Sequence, residues 1–204
     1  MNLSPALAAS LFMPATMGLL VQVVTPHPWP HRLLALSLML MSLEQAHMAR
    51  VDLRQGDLVA LRSPDRRLAQ FRRVVTLTVL GQVAGFSVAA WGYLGWGMGL
   101  ILLSLIGFNL AATIRLDPET VPPVQAAGWR SRLAVLSLDA IALLLAVLWI
   151  AQRGEAWVAG GMFAITLLYG GSKLATYARA LGRPTSAIHI AHAAQQHPQT
   201  SQQN

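Results

Sequence analysis

The chain has 204 residues, 54% of them hydrophobic and only 11% charged, with a mean hydropathy of +0.49, where a soluble domain carries about 25% charged residues. That composition excludes a water-soluble fold, and the lack of cysteine excludes disulfides, thiolate metal sites, iron–sulfur clusters and c-type haem attachment. Fifteen Lys and Arg against eight Asp and Glu leave a net charge of +7, and the placement of those charges decides between a nucleic-acid surface and membrane topology.

In chain order, Ser4 and Pro5 form a helix start, with an N-cap followed by proline at the first helical position. The run to Val24 is apolar apart from Ser10, Thr16 and Gln22, and Pro14 should kink it. No Lys or Arg precedes Arg32, so the basic region of a signal peptide is missing and residues 5–24 are expected to be a retained span. Residues 25–30 carry Pro26, Pro28 and Pro30, which fix φ and remove donors, so a stiff connector is expected there. Leu33–Leu43 is short for a span before Glu44. Its leucines favour insertion by roughly 3 kcal/mol, and one carboxylate near a helix end costs no more than the roughly 2.5–3.5 kcal/mol of a central Asp. Residues 33–49 are therefore assigned as the second span.

A basic connector over residues 50–73 follows. It contains Ser63, Pro64 and Asp65, a second helix start with Ser63 as N-cap, so a basic helical ramp from Pro64 to Arg73 should lead into the next span. The stretch from Val74 to Ile114 has no ionisable Asp, Glu, Lys, Arg or His and is about twice the ~20 residues a helix needs to cross hydrocarbon. It is expected to form two spans, 74–92 and 97–114, broken at Gly92-Tyr93-Leu94-Gly95-Trp96-Gly97. A second such pair, 133–151 and 156–175, is separated by the polar turn Gln152-Arg153-Gly154-Glu155. After Gly182-Arg183-Pro184 the segment 184–204 is expected to be a solvated, disordered tail, and its His189, His192 and His197 are read as adventitious.

The fold class expected is therefore all-α: a polytopic integral membrane protein with six transmembrane helices in one domain, 1–183, arranged as three hairpins in a compact bundle. With the 50–73 connector in the cytoplasm, Arg50, Arg54, Arg62, Arg66, Arg67, Arg72, Arg73, Arg115, Arg130, Arg132, Lys173, Arg179 and Arg183 all fall inside, thirteen of the fifteen positive charges. Such a split follows the positive-inside rule, puts both termini in the cytoplasm, and removes the support for a nucleic-acid partner. A four-span alternative leaves residues 1–49 outside or interfacial and places the N-terminus outside.

Intramembrane ionisable residues are costly and carry a functional hypothesis. Glu44 and Asp139 are the acids, with His47, Gln82, Asn109, Tyr169 and Lys173 as supporting polar groups. Counted from Arg50, Arg115 and Arg132, the side chains of Glu44, Asn109 and Asp139 should share one layer about 9–10 Å inward, with Lys173 able to reach toward Asp139. That layer could couple proton or cation movement, or it could be interhelical glue at ~0.6–2 kcal/mol per polar group. Glu44 and His47 have the i, i+3 spacing of di-iron carboxylate bundles, but the second such pair is absent, so no metal and no cofactor is expected. Arg66, Arg67, Arg72 and Arg73 are candidate contacts for anionic lipid.

Small residues at Gly81/Gly85, Gly107/Ala111, Gly160/Ala164 and Gly171/Ala175 are expected to let helices approach closely. No nucleotide loop, activated nucleophile or zinc motif occurs, which disfavours an enzyme. The expectation is a non-catalytic accessory, assembly or scaffold component, in contact with the bilayer and with other membrane proteins or its own copies. The alternatives are a small-solute or proton-coupled carrier and a membrane-embedded lipid-modifying enzyme. The expected site is a prokaryotic-type inner membrane, with a thylakoid or other internal membrane as the alternative.

Overall fold

A computed structural model describes residues 3–62, 65–116 and 122–181, the side chains of residues 62, 129 and 172–181 excepted. It divides into two compact units, residues 1–166 and 167–204. The chain is helical almost throughout the described residues, and four helical segments are long and apolar enough to cross a membrane: Pro5–Val24, Arg66–Ala90, Leu94–Ala111 and Arg130–Ile150.

The first of these segments is two helices. Ser4 caps α1 (Pro5–Ser10), its Oγ accepting from the Leu7 N–H at 3.2 Å, with Pro5 at the first position. Pro14 has no N–H to offer the carbonyl of Ser10, so the helix breaks at Leu11 and Phe12 and resumes as α2 (Met13–Val24). The proline connector is shorter than expected. Helix α3 (Trp29–Arg62) already includes Pro30 in its first turn, where the missing N–H costs nothing because it would have no intrahelical partner.

The expected connector over 50–73 is corrected most. Helix α3 has 34 residues, about 51 Å against a ~30 Å hydrocarbon core, and runs unbroken past Ala49 to Arg62. Residues 50–62 hold three Leu and three Arg, with one Ala and one Gln, all good helix formers, and the isolated Gly56 is tolerated. Helix α4 (Arg66–Ala90) starts four residues later. Its N-cap is Asp65, whose Oδ1 accepts from the Arg67 N–H at 2.8 Å, in place of the expected Ser63; Ser63 and Pro64 lie outside the described residues.

The turn after α4 is tighter than the six residues expected. It is Trp91–Tyr93, with Gly92 at φ +100 and the Tyr93 N–H bonded to the Val88 carbonyl at 3.3 Å. Helix α5 (Leu94–Ala111) therefore starts and ends three residues before the expected 97–114. Gly95 and Gly97 belong to the helix, where they serve close packing. After α5 come two short antiparallel strands, β1 (Ile114–Leu116) and β2 (Val124–Ala126), in the register Arg115 opposite Gln125. Three-residue alternation is too brief to read as a strand from sequence. A 3₁₀ turn, Trp129–Arg132, leads into α6 (Leu133–Ile150). Gln152 (φ 56) and Gly154 (φ 62) turn the chain into α7 (Glu155–Leu181), which runs on into the second unit. The expected tail, 184–204, lies outside the described residues.

Side-chain contacts give the helix directions within the first unit. From α4 to α5, Gly81 meets Ser104, Gly85 meets Ile101 and Gly97 meets Ala89, so the numbers rise on one helix as they fall on the other. A Cβ on Gly97 would lie 2.5 Å from that of Ala89 and 2.5 Å from the Gly85 carbonyl oxygen, a separation only glycine permits. Helix α2 runs parallel to α4, because Phe12 packs edge-on against Phe86 (5.8 Å) and Gly18 lies against Ala90. Phe12, Leu19, Leu34, Leu38, Phe86 and Met98 are wholly buried at the centre. Inside lipid this burial acts through van der Waals fit, since acyl chains are as apolar as the core. Two other small-residue pairs of the first unit do not behave as expected: a Cβ on Gly107 or Gly160 would meet nothing within 4 Å among the described residues.

Candidate functional site

Helices α5 and α6 bring two of the expected site residues together. Asn109 Nδ2 donates to Asp139 Oδ2 at 3.1 Å, with Asp139 only 8% exposed and Asn109 half-buried. Asp139 shares its buried face with Ala142 and Ala146, small residues that let α6 lie close to α5. Glu44 is half-buried on α3 and His47 is exposed. Lys173 lies on α7 in the second unit, and its side chain is outside the described residues.

Other polar side chains also link helices: Gln82 is among the supporting polar groups expected from sequence, whereas Thr16 and Gln22 stand there only as interruptions of an apolar run. Gln82 Nε2 donates to Gln45 Oε1 at 3.0 Å, tying α4 to α3. The hydroxyls of Thr16 and Ser42 are 2.7 Å apart, tying α2 to α3. Gln22 is 7% exposed; its Nε2 donates to the carbonyls of Ala89 (2.8 Å) and Ala90 (2.7 Å), and its Oε1 accepts from His31 Nε2 at 2.7 Å. One glutamine thus joins α2 to the end of α4 and the start of α3. The usable signal was a glutamine within an apolar run, since such a group must find partners in lipid.

The arginine ramp is partly neutralised by the chain itself. Arg67 forms a two-toothed pair with Asp65, whose carboxyl is held below its ordinary value chiefly by the side-chain hydrogen bond from Arg67, while the Arg67 guanidinium is raised by the same bond. Arg72 pairs with Asp57 of α3 at 3.0 Å, both about two-fifths exposed. Arg66 and Arg73 are exposed. Between these ends of α3 and α4 lies a cavity of about 310 Å³ with Leu53, Ala60, Phe71 and Val75 among its walls and Asp57 and Arg72 beside them. Arg132 reaches the Ile114 carbonyl at 3.4 Å and stacks its guanidinium 5.6 Å from the Phe108 ring, joining the strand pair to α5 and α6.

A second cavity, about 380 Å³, lies where the turns at 25–28, 91–93 and 151–154 meet. Neither of these two cavities includes Glu44, Asn109 or Asp139. Among the described residues no three His, Asp or Glu side chains lie close enough to hold a metal ion. No family model, curated protein or solved structure matches the chain.

Proposed function

We propose that the chain is a non-catalytic, multi-pass membrane protein that acts as an accessory, assembly or scaffold component by packing its helices against other membrane proteins. The supporting observation is the uneven cover of its helices. Only 11% of the apolar window of α6 is buried, against 33% for each of the other three spanning candidates. Leu138, Ile141, Leu144 and Val147 of α6 are exposed, the last three at 55%, 59% and 54%. Contiguous apolar surface of this kind is suited to helix–helix association in the bilayer.

The polar side chains support the same reading. Thr16, Gln22, Gln45, Gln82, Asn109 and Asp139 each bond across a helix interface, as interhelical glue does. A carrier built on Glu44, Asn109 and Asp139 would need them to open on one cavity.

In this reading α1–α2, the first part of α3, α4, α5, α6 and α7 cross the membrane, giving six spans as three hairpins with both termini in the cytoplasm of a prokaryotic-type inner membrane. The positive-inside distribution supports that orientation. A reporter fused to the N-terminus separates it from the four-span alternative, which requires an outside N-terminus. The functional proposal is tested by extracting the chain from its native membrane in nanodiscs: it expects a stable larger assembly, and a monodisperse monomer with no co-purifying partner would contradict it.

A further inference from the structure

The cavity between the three turns has walls of an unusual kind. Tyr93, Trp96 and Trp149 line it together with His31, Gln152 and Glu155, and among the described residues no Lys or Arg does. Its volume, about 380 Å³, is in the range of small-molecule sites. Among these lining residues the one formal charge is the Glu155 carboxylate. His31 adds no positive charge near neutral pH, because burial and the neighbouring His27 imidazole hold it below its ordinary value of 6.5, outweighing the opposite pull of Glu155.

A tryptophan belt would account for indoles at this level without any site. Trp91 and Trp157, 77% and 87% exposed, are of that sort. Trp149 is different: it is drawn in over Gly95, where a Cβ would stand 2.8 Å from its Cδ1. The adjoining wall is set by Gln152, the left-handed residue (φ 56) that ends α6: its N–H bonds to the Trp149 carbonyl at 3.0 Å and the Arg153 N–H to the Leu148 carbonyl at 2.9 Å, a helix-terminating turn that fixes the chain between Trp149 and Glu155. Four segments of chain, the starts of α3, α5 and α7 and the end of α6, contribute to these walls.

Aromatic rings beside one carboxylate, with no Lys or Arg among the described residues that line the cavity, are the chemistry that recognises an alkylammonium group. We infer that this cavity binds the ammonium group of an organic cation, through cation–π contact with Tyr93, Trp96 and Trp149 and the charge of Glu155. The group could belong to a free small cation or to a choline-type lipid headgroup at the membrane surface.

The test uses the full chain in phosphatidylglycerol nanodiscs, which carry no ammonium headgroup, titrated calorimetrically with tetramethylammonium and with its neutral isostere neopentane carried on a short alcohol. Saturable binding of the cation and not of the neutral analogue is expected. It should weaken at least fivefold in Glu155→Gln and in Trp96→Leu, recover in part in Trp96→Phe, and stay unchanged in Trp91→Leu. Trp96 is 62% exposed, so its replacement leaves the core intact. Phosphatidylcholine added to the discs distinguishes the sources: loss of tetramethylammonium binding, with the lipid retained by the wild type and at least fivefold less by Glu155→Gln, assigns the site to a headgroup, and undiminished binding assigns it to a free cation. Equal binding of the neutral analogue, equal binding by the variants, or no variant-sensitive retention of either ligand would overturn the inference.

Discussion

Asn109 and Asp139 stand 30 residues apart in sequence and 3.1 Å apart in space, the amide of one donating to the carboxylate of the other across the α5–α6 interface. If this pair is structural, Asn109→Ala should lower stability by about 0.6–2 kcal/mol, the range for an interhelical hydrogen bond in lipid. Asp139→Asn should cost less, because an amide can still pair with Asn109. Thermal unfolding in detergent measures both. A carrier that used Asp139 would lose ion flux in Asp139→Asn with its melting temperature unchanged.

The closest helix approach makes a second prediction. Gly97→Ala places a Cβ 2.5 Å from the Gly85 carbonyl oxygen and should destabilise by about 1–3 kcal/mol through overpacking. Gly107→Ala, on the same helix with nothing within 4 Å, should be neutral or raise stability by up to about 1 kcal/mol. Equal melting temperatures for the two variants would contradict the α4–α5 packing described.

His31 sets a pH dependence. Its folded value is lowered, chiefly by burial and then by His27, while Glu155 opposes. Below the unfolded value of 6.5 the unfolded chain therefore holds more protons than the folded one. The stability this residue contributes is present above that value and is lost as pH falls from it through the folded value. Melting temperatures between pH 7.5 and 5 should drop on acidification, less so in His31→Gln, whose amide can still donate to Gln22. Glu155→Gln should make the drop steeper.

Arg72 and Asp57 form an ion pair that is about two-fifths exposed on both sides. Asp57→Asn should cost less than about 1 kcal/mol, and the effect should shrink in high salt. It also releases Arg72 toward lipid headgroups, so the phosphatidylglycerol retained by the chain in mixed-lipid nanodiscs should rise in that variant.

The sequence carried the helical class, the Ser4 cap, the Pro14 break and the Gly81/Gly85 contact, because each rests on local rules: a hydroxyl before a proline, a missing N–H, a pair of small residues four apart. It misplaced features that depend on tertiary context. Gly95 and Gly97 look like turn residues until Trp149 and Ala89 are seen beside them. Residues 50–62 look like a loop because they are charged, although their helix propensity is high and α4 lies alongside. Of the polar layer, the depth count sets Glu44, Asn109 and Asp139 at one level, since each helix rises about 1.5 Å per residue from an arginine anchor, and does not say which of them touch; Asn109 and Asp139 do. The same count could not show that Gln22 and Gln45 join helices, because a hydrogen-bond partner on another helix leaves no periodic trace.

The exposed face of α6 tests the central proposal most directly. A photo-crosslinking residue placed at Leu144, 59% exposed, and irradiated in the native membrane should give one protein adduct of defined mass. The same probe at Leu77 of α4, 69% exposed, serves as the comparison for a face with no assigned partner. Lipid adducts alone at Leu144, as at any acyl-facing position, would contradict the proposal that this helix packs against another membrane protein.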